Sequence, residues 1–366
     1  MRKERNQTFT YLYVLAILMV LDDHTCTRIN ILTSVFPYNS FYMPLFVFIS
    51  GYFYRHMNFI ETVQHRTKRI MIPYIIYDCA MIIIAYTIDR LFHFHWYPGV
   101  SWTSVVHMLF EAPTTQLNGA AWFAVMLFWV SVIYSFMRIF FNPNRTADGA
   151  LTVLLLLLGF AGIYTSMHCY EAFGDAWPVI RWGCKTAFFL QFYHFGYLFK
   201  TYFETSVQKW NRLYVCLGCF LVNLILTVIY GDKINFISIV HMRSFHSTVL
   251  PLITSFSGIL FYYEVMGFLA EKIGETKITS FISRNTFVIM QVHLLFVAIP
   301  DLYIYSRILH GSTEFPNYPM DQLRESIWTR YSYNSCLIGF VLGLAGSLMV
   351  AYALEKIRSC MKNKAV

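Results

Sequence analysis

Long apolar stretches separated by short polar segments dominate the pattern of hydrophobic and polar positions along the chain. Each stretch is close to the roughly 20 residues that an α-helix needs to cross a hydrocarbon core of about 30 Å. The pattern predicts an all-α fold, a polytopic integral membrane bundle of about ten transmembrane helices. The predicted helices cover residues 9–25, 41–57, 72–93, 119–141, 149–168, 182–202, 211–230, 248–270, 280–304 and 333–355.

The composition agrees with a membrane protein. Of the 366 residues, 57% are hydrophobic and 13% are charged, whereas soluble domains carry roughly 25% charged residues. No internal repeat, low-complexity tract or soluble appendage is visible, so residues 1–366 are predicted to form a single domain. The net charge of +8 is attributed to the unequal distribution of Lys and Arg between the two sides of the membrane, and a nucleic-acid partner is not expected.

The distribution of Lys and Arg predicts the orientation of the chain. About twice as many of these residues fall on one side, which begins with Arg2, Lys3 and Arg5 and includes the stretch RTKR at residues 66–69. Because cytoplasmic loops carry the excess of Lys and Arg, both termini are predicted to be cytoplasmic. The opening segment MRKERNQTF has no small-residue cleavage site, so we expect a retained first helix rather than a signal peptide.

The eight cysteines are scattered, and the one close pair, Cys216 and Cys219, lies inside an apolar segment. Zinc sites add a second Cys pair or His residues at matching spacing, and neither accompanies this pair. No metal site is therefore predicted.

The sequence DDHTCT at residues 22–27 places two carboxylates and an imidazole at the end of the first helix. On the predicted orientation this helix runs outward, so Asp22, Asp23 and His24 fall in its last turn, near the outer face. Imidazole is the usual proton carrier near neutral pH, which makes His24 a candidate general base. Asp23 could orient it, although neighbours on a helix point about 100° apart. Alternatively, the acidic residues face headgroups and water.

The basic stretch before Pro73 has two interpretations. Arg66, Lys68 and Arg69 fall at the predicted cytoplasmic face, where any basic loop serves as a topology signal. Guanidinium forks also match phosphate oxygens bidentately, so the same residues could clamp an anion. The sequence leaves both interpretations open.

Polar residues inside the predicted helices are candidates for lining a substrate path, because ionisable groups in a membrane usually face the bundle interior or a wet cavity. Lys185 lies one turn after Arg181, on the same helix face. The alternative for His293 is a satisfied interhelical hydrogen bond, and the alternative for Trp122 is a place in the interfacial belt. The candidates are Asn118, Trp122, Lys185, Arg284, Gln291 and His293.

The longest predicted outer segment covers residues 305–332 and is polar and aromatic. It could form a lid over an outward-facing site, or it could lie on the headgroups as a connector. The sequence does not separate these two interpretations.

Taken in order along the chain, several of these stretches resemble the membrane-bound acyltransferase 3 family, and within it the fucose 4-O-acetylase-like branch. The resemblance covers most of the first 300 residues and depends on the ordered set of stretches rather than on any single motif. The matching stretches are LAILMVLDDH (15–24), FYMPLFVFISGYFY (41–54), RTKRIMIPY (66–74), AAWFAVMLFW (120–129), KTAFFLQFYHFGYLFK (185–200) and SRNTFVIMQVHLLF (283–296).

The resemblance implies an integral membrane O-acyltransferase, often an O-acetyltransferase, in the inner (cytoplasmic) membrane. Its donor would be cytosolic acyl-CoA, with acetyl-CoA as a co-substrate and no tightly bound cofactor. Its acceptor would be a carbohydrate, through a hydroxyl of a cell-surface polysaccharide or a lipid-linked sugar. The resemblance is compatible with a homo-oligomer.

The resemblance also assigns roles to individual residues. It makes His24 the catalytic histidine, and Arg66 and Arg69 the arginine pair of the cytoplasmic face. The motif that closes the second helix matches Ser50-Gly51-Tyr52, and the histidine common in the late helix matches His293.

The chain departs from the family pattern at two positions. A cation usually stands eleven residues before the catalytic histidine, where this chain has Tyr13, and a small residue usually precedes that histidine, where this chain has Asp23. Lys185 could replace the missing cation, the donor or its binding could change, or activity could be lost. A charged Asp23 would stabilise the imidazolium that His24 forms during attack.

Three classes of function follow. The first is acyl transfer, in which His24 acts as a general base or becomes transiently acylated, and both routes use the same residues. The second is a transporter or flippase, which inverted repeats and paired Gly or Pro breaks would favour, but neither is visible. The third is a non-catalytic partner of a glycan-synthesis complex, which the Tyr13 departure favours.

Overall fold

The structure of the protein is a computed structural model that describes residues 7–97, 99–174, 177–235, 239, 241–242, 245–329 and 333–364, except for the side chains of 333–335 and 362–364. Arg2, Lys3 and Arg5, the first cations of the predicted cytoplasmic side, lie outside the described residues. Within the described ranges every regular element is helical, which confirms the all-α class.

The described residues form sixteen α-helices, numbered here in chain order. Two π-helical turns, Thr67–Met71 before α4 and Phe199–Phe203 after α8, and a 3₁₀ segment, Gln116–Ala121 before α6, extend three of them. The helices are α1 (Gln7–Thr25), α2 (Tyr42–Tyr52), α3 (Phe59–Arg66), α4 (Ile72–Phe92), α5 (Trp102–Phe110), α6 (Trp122–Phe140), α7 (Arg145–His168), α8 (Trp177–Leu198), α9 (Glu204–Val207), α10 (Arg212–Tyr230), α11 (Leu250–Ile273), α12 (Lys277–Arg284), α13 (Thr286–Val297), α14 (Ile299–Leu309), α15 (Met320–Glu325) and α16 (Tyr333–Lys364).

Every predicted apolar stretch overlaps at least one of these helices. α2 has only 11 residues, and charged or polar residues lower the hydropathy of α1 and α8. In the described chain, seven segments are long and apolar enough to cross a membrane, whereas ten spans and two cytoplasmic termini stay predictions. The seven are Phe59–Phe92, Gln116–Phe140, Arg145–His168, Arg212–Ile234, Leu250–Ile273, Thr286–Leu309 and Cys336–Met361.

The predicted ninth stretch, 280–304, is divided among α12, α13 and α14. The break after α12 occurs at Asn285, whose side-chain Nδ2 donates to the carbonyl oxygen of Phe281 at 3.0 Å. α14 begins beside Pro300, which has no N–H to continue the preceding helix. Arg284 is consequently the exposed last residue of α12 rather than a residue inside a continuous span.

The chain divides into two compact units, each assembled from segments distant in sequence. Unit 1 comprises Met1–Ala16, Asn30–Ile70 and Met126–Thr276, and unit 2 comprises Ile17–Ile29, Met71–Val125 and Lys277–Val366. Each unit is described below by itself. The single domain predicted over residues 1–366 stays a prediction.

In unit 1, α2 and α8 pack with their backbones in direct contact. A Cβ placed on Gly51 would lie 1.8 Å from the carbonyl oxygen of Tyr193. A Cβ on Gly196 would lie 2.0 Å from the carbonyl oxygen of Phe48. Helices in a membrane associate through small residues that let their backbones approach, because the hydrophobic effect contributes little to helix association in lipid. These two glycines therefore fix the placement of α2 on α8.

In unit 2, α13 and the last turn of α1 both pack on glycines of α16. A Cβ on Gly343 would lie 2.7 Å from the side chain of Val297 in α13 and 3.7 Å from that of Leu21 in α1. Gly346 in the same way leaves room for the ring of Phe296. α13 also packs against the 3₁₀ segment before α6. The end of α1 is thereby brought to the middle of α13.

Candidate functional site

Two histidines, from α1 and α13, form a hydrogen-bonded pair in unit 2. Nδ1 of His24 lies 2.8 Å from Nε2 of His293, and the two rings are nearly parallel, with 3° between their planes. His293 is fully buried, with 0% of its surface exposed, and His24 is half-buried. The sequence marked both residues as candidates but did not pair them, since 269 positions separate them.

The second ring nitrogen of His293 fixes the direction of the proton in this pair. Nδ1 of His293 lies 2.9 Å from the carbonyl oxygen of Ile289 and 3.1 Å from that of Met290. A carbonyl only accepts, so Nδ1 of neutral His293 carries the proton, and its Nε2 accepts from Nδ1–H of His24. His24 is thus assigned the tautomer whose Nε2 is unprotonated and basic.

This arrangement is the one that a general base requires. In nucleophile–base–orienter sites the third group holds the base in one tautomer and stabilises the cation it becomes. Here His293, itself fixed by the carbonyl of Ile289, holds that place for His24. Asp23 was the sequence-based candidate for the same task, but Nδ1 of His24 bonds to His293. A role for Asp23 in stabilising the imidazolium stays a prediction.

Asp22 closes the loop that follows α1. It is buried, and its carboxylate accepts hydrogen bonds from Oγ1 of Thr27 and, at 3.0 Å, from the backbone N–H of Ile29. Within this loop Cys26 and Arg28 adopt left-handed conformations, with φ of 58° and 52°. The alternative in which Asp22 faces headgroups and water does not hold, because its carboxylate is buried and fixes the chain reversal next to the histidine pair.

The predicted outer stretch, 305–332, contributes an aromatic ring to the site. The ring centroids of Trp328 and His24 are 5.2 Å apart, with 61° between the ring planes. The indole also lies against Gly119, where a Cβ would be 3.3 Å from Cζ2 of Trp328. This stretch therefore reaches the histidine pair of unit 2.

Hydrogen bonds brace the segment that carries this indole. The side chain of Gln116 donates to the carbonyl oxygen of Glu325 at 2.9 Å and accepts from the N–H of Ile327 at 3.0 Å. Nε1 of Trp96 donates to the carbonyl oxygen of Leu323 at 2.8 Å. The ring that faces the histidine is thus carried by a segment bonded to two other parts of unit 2.

Gln291 is a buried amide of α13. Its side chain is 0% exposed, and neither Oε1 nor Nε2 has a hydrogen-bond partner among the described residues. Leu294, three residues later and on the same helix face, lies 3.7 Å from the Cβ position of Gly119. A buried polar group without a partner costs about 1–3 kcal/mol. This cost is consistent with the predicted place of Gln291 along a substrate path.

The predicted path residues Asn118 and Trp122 also belong to unit 2. Asn118 is buried and interrupts the segment Gln116–Ala121 with non-helical angles, φ −112° and ψ 16°. Trp122 is buried at the start of α6, with its ring centroid 6.0 Å from that of Phe123. Asn118 stands on the segment that packs against α13, and Trp122 directly follows that segment, so the structure brings both to the unit that holds the histidine pair.

In unit 1, a tyrosine of α8 holds Arg66. Nη2 of Arg66 donates to the hydroxyl of Tyr193 at 3.0 Å, while its Nε has no hydrogen-bond partner among the residues described. Tyr193 is also the residue whose carbonyl meets Gly51. Gly51 of the motif Ser50-Gly51-Tyr52 thus packs on the residue whose hydroxyl accepts from Arg66.

Further cations accompany Arg66. Lys68 and Arg69 are exposed in the π-helical turn before α4. Arg55 interacts electrostatically with the imidazole of His65, as do Arg66 and Arg69. Three guanidinium groups of unit 1 thus interact with the same imidazole, and an anion clamp at these residues stays a prediction.

The other candidates of unit 1 lie on α1, α2 and α8. Tyr52 is buried, and its hydroxyl donates to the carboxylate of Glu204 at 2.8 Å. Ser50 and Tyr13 are half-buried, and Lys185 is fully buried, with 0% of its surface exposed. Contact of these residues with a substrate stays a prediction.

A buried ion pair in unit 1 was missed from the sequence. Arg138 of α6 donates to the carboxylate of Asp148 in α7, and both side chains are buried. Arg138 also donates to the hydroxyl of Tyr134, at 2.6 Å through Nη2, and this hydroxyl lies 2.9 Å from Nδ1 of His194. The available signal was a cation and a carboxylate ten positions apart across a short turn.

The cysteines and acidic residues do not assemble into a cation site in the described part of the chain. No group of three or more His, Cys, Asp or Glu side chains there is placed to hold a metal ion. Cys216 and Cys219 are free, half-buried thiols on α10.

Comparison with known proteins identifies the family of the chain. The model of the acyltransferase 3 family, described as an acyltransferase domain, matches residues 7–356, which include both units and every candidate site residue. No curated protein and no solved structure gives a significant match. The family match covers nearly the whole chain, and seven described segments have the length and composition of membrane spans. The chain therefore belongs to the acyltransferase 3 family and is a multi-pass membrane acyltransferase.

Proposed function

We propose that the protein is an O-acetyltransferase of the fucose 4-O-acetylase-like branch. It transfers an acetyl group from cytosolic acetyl-CoA to a hydroxyl of a cell-surface or lipid-linked glycan. It acts in the inner (cytoplasmic) membrane, with both termini in the cytoplasm. The observation that carries the proposal is the pair of His24 and His293, because it prepares a neutral, oriented base in a membrane acyltransferase.

The proposed chemistry is general-base catalysis by His24. The acceptor hydroxyl gives its proton to Nε2 of His24 while its oxygen attacks the thioester carbonyl carbon. His293 continues to accept Nδ1–H and so stabilises the imidazolium. Collapse of the tetrahedral intermediate breaks the C–S bond, and the imidazolium returns the proton to the departing CoA sulfur. Assistance of this kind is worth about 10²–10⁴ in rate.

We assign the phosphates of acetyl-CoA to the cations of unit 1. Guanidinium groups bind phosphate oxygens bidentately, and Arg55, Arg66 and Arg69 all interact electrostatically with the imidazole of His65. A polyanion relieves the repulsion among these like charges. The hydrogen bond from Arg66 to Tyr193 orders one guanidinium in advance, which lowers the entropic cost of binding.

Transfer of labelled acetyl from acetyl-CoA by the full-length protein in lipid nanodiscs tests the catalytic assignment. The acceptors are methyl pyranosides of fucose, glucose, galactose, mannose and N-acetylglucosamine. We expect His24→Ala to lower transfer by about 10²-fold or more, with an unchanged size-exclusion profile. His310→Ala, an exposed histidine of the same unit, is the matched control and should retain full transfer. Retained transfer by His24→Ala overturns the assignment.

A second arm tests the donor site and the rival functions. Arg69→Ala should raise the KM for acetyl-CoA and leave kcat unchanged, and an unchanged KM would reduce the basic stretch to a topology signal. A wild-type protein that neither transfers nor hydrolyses acetyl-CoA favours the non-catalytic partner. Uptake of labelled sugar into proteoliposomes without acetyl transfer favours the transporter.

A further inference from the structure

An exposed indole stands beside the proposed base. Trp328 has 45% of its surface exposed, although its ring centroid is only 5.2 Å from that of His24. Core tryptophans are covered by their neighbours, and this one is not. Neither the proton transfer nor the donor site uses it.

The ring is seated by its surroundings. Glycine at 119 lets the edge of the indole approach the backbone, since a Cβ there would be 3.3 Å from Cζ2. The backbone four residues earlier is fixed as well, because the carbonyl of Arg324 accepts from the N–H of His95 at 2.8 Å. Nε of Arg324 in turn donates to the hydroxyl of Tyr305 at 2.8 Å. The indole is therefore presented to the site by a braced chain.

An interfacial anchor would have different neighbours. Tryptophans of the membrane interface place their rings among headgroups, and Trp102 of α5, with 81% of its surface exposed, has the exposure of that type. Trp328 instead contacts the catalytic histidine and the segment before α6. Its position suits contact with a substrate better than contact with lipid.

The chemistry of an indole face selects the kind of substrate. An aromatic ring carries negative charge on its face and positive charge at its edge. One face of a pyranose presents C–H groups, which are apolar and slightly positive, while its hydroxyls project around the rim. Such a sugar can stack on an indole and still offer a rim hydroxyl to a base beside it. An acyclic alcohol has no such face.

We propose that Trp328 is the stacking platform for the acceptor, a subsite that takes one pyranose ring and directs one of its hydroxyls to Nε2 of His24. Gly119 is the residue that makes room for the platform. This inference rests on the proposed function, since it assigns the acceptor of that reaction to a place in unit 2.

The test compares two classes of acceptor for wild-type, Trp328→Ala and Trp328→Phe proteins in nanodiscs. The probes are the five methyl pyranosides named above and glycerol, which offers similar hydroxyls without a ring. Loss of an aromatic stack should raise the KM for the pyranosides on the order of tenfold. The KM for acetyl-CoA and the transfer to glycerol should stay unchanged. Trp328→Phe keeps an aromatic face and should fall between wild type and Trp328→Ala.

Trp102→Ala is the matched control and should alter none of these values. An equal loss of kcat with pyranosides and glycerol would overturn the platform, because Trp328 would then act on His24 alone. Unchanged KM values for all five pyranosides would overturn it too.

Saturation-transfer NMR of the same pyranosides separates failure of this inference from failure of the proposed function, because it needs no catalysis. Saturation of the C–H protons of at least one pyranoside face in wild type, lost in Trp328→Ala, supports the platform even where no acetyl is transferred. Absence of saturation for every pyranoside in wild type overturns it.

Discussion

Each unit places a histidine among polar groups, His194 buried in unit 1 and His24 half-buried in unit 2, and the two rings differ in how their nitrogens are used. In unit 1, Nδ1 of His194 meets the hydroxyl of Tyr134 at 2.9 Å, and Nε2 meets Oγ1 of Thr152 at 3.0 Å and the carbonyl of Asp148 at 3.2 Å. In unit 2, the carbonyl of Ile289 and the ring of His293 leave His24 with a basic Nε2.

The directions of the protons explain the difference. Tyr134 accepts from Arg138, so its own proton goes to Nδ1 of His194, and Nε2–H of that ring donates toward the carbonyl of Asp148. Both nitrogens of the His194 ring are therefore hydrogen-bonded to groups around the ion pair. The comparison teaches that burial and hydrogen bonds alone do not mark a catalytic histidine. In the proposed reaction the useful feature of His24 is its tautomer, because the hydrogen bond from Nδ1–H to His293 makes Nε2 the basic nitrogen.

Breaking the ion pair of unit 1 should give the largest change in stability. Asp148→Asn leaves the buried Arg138 without its counter-charge, which we expect to lower the free energy of unfolding by about 3–5 kcal/mol. Titration with SDS in mixed micelles measures this. Transfer per folded molecule should be unchanged. The double variant Arg138→Met/Asp148→Leu should recover most of the loss, and an equally unstable double variant would show that the charges are not the cause.

Removing the orienting ring of unit 2 should change the rate. His293→Leu deprives Nδ1–H of His24 of its acceptor, so we expect kcat to fall by about 10², with the KM for acetyl-CoA unchanged. His293→Gln retains an acceptor oxygen near the position of Nε2 and should restore part of the rate. Steady-state kinetics in nanodiscs check both. Equal losses in the two variants would mean that His293 fills space and does not orient the base.

Replacing the Gln291 amide of unit 2 should raise stability and lower activity together. The hydrogen-bonded network around Arg138 and Asp148 in unit 1 should not show this combination. Gln291→Leu removes a buried polar group of similar volume, so the free energy of unfolding should rise by about 1–3 kcal/mol. Acetyl transfer should fall at the same time. SDS titration and the transfer assay measure the two effects on one preparation. A less stable Gln291→Leu protein would contradict the assignment.

The smallest effect is expected at the donor site. Tyr193→Phe removes one hydrogen bond to Arg66, worth about 0.5–1.5 kcal/mol, so the KM for acetyl-CoA should rise by a factor of about 2–10. Tyr262→Phe is the matched control, because its hydroxyl in the same unit accepts from Asn30 and not from an arginine. A higher KM in both variants would show a general loosening of unit 1.

The helices were predictable because the apolar stretches are long, and His24 was predictable because a histidine at the end of such a stretch is costly. The pairing of His24 with His293 was not, since it depends on how α1 and α13 meet across α16. That contact is made by Gly343, and a glycine adds nothing to the hydrophobic periodicity from which a helix contact could be predicted. The identity of the orienting group was missed for the same reason.

Two other features escaped the sequence for different physical reasons. Trp328 lies in a polar segment whose hydropathy resembles that of an ordinary loop, and only its hydrogen bonds bring the indole to His24. Arg138 falls at the end of the predicted span 119–141, where the positive-inside rule already accounts for a positive charge. Its burial against Asp148 requires the turn between α6 and α7 to close.

α10 gives the surrounding lipid a structural part in unit 1. Only 6% of the apolar stretch of this span is buried, against 28–61% in the other six candidate spans. Asn223 bonds to Ser257 of α11 and Arg212 pairs with Glu264 of the same helix, while much of the remaining surface of α10 is exposed. With its 3₁₀ extension it has 23 residues, or about 34 Å at 1.5 Å per residue. Bilayer thickness should therefore set its tilt, and membranes of different composition should yield measurably different unfolding energies for one and the same chain.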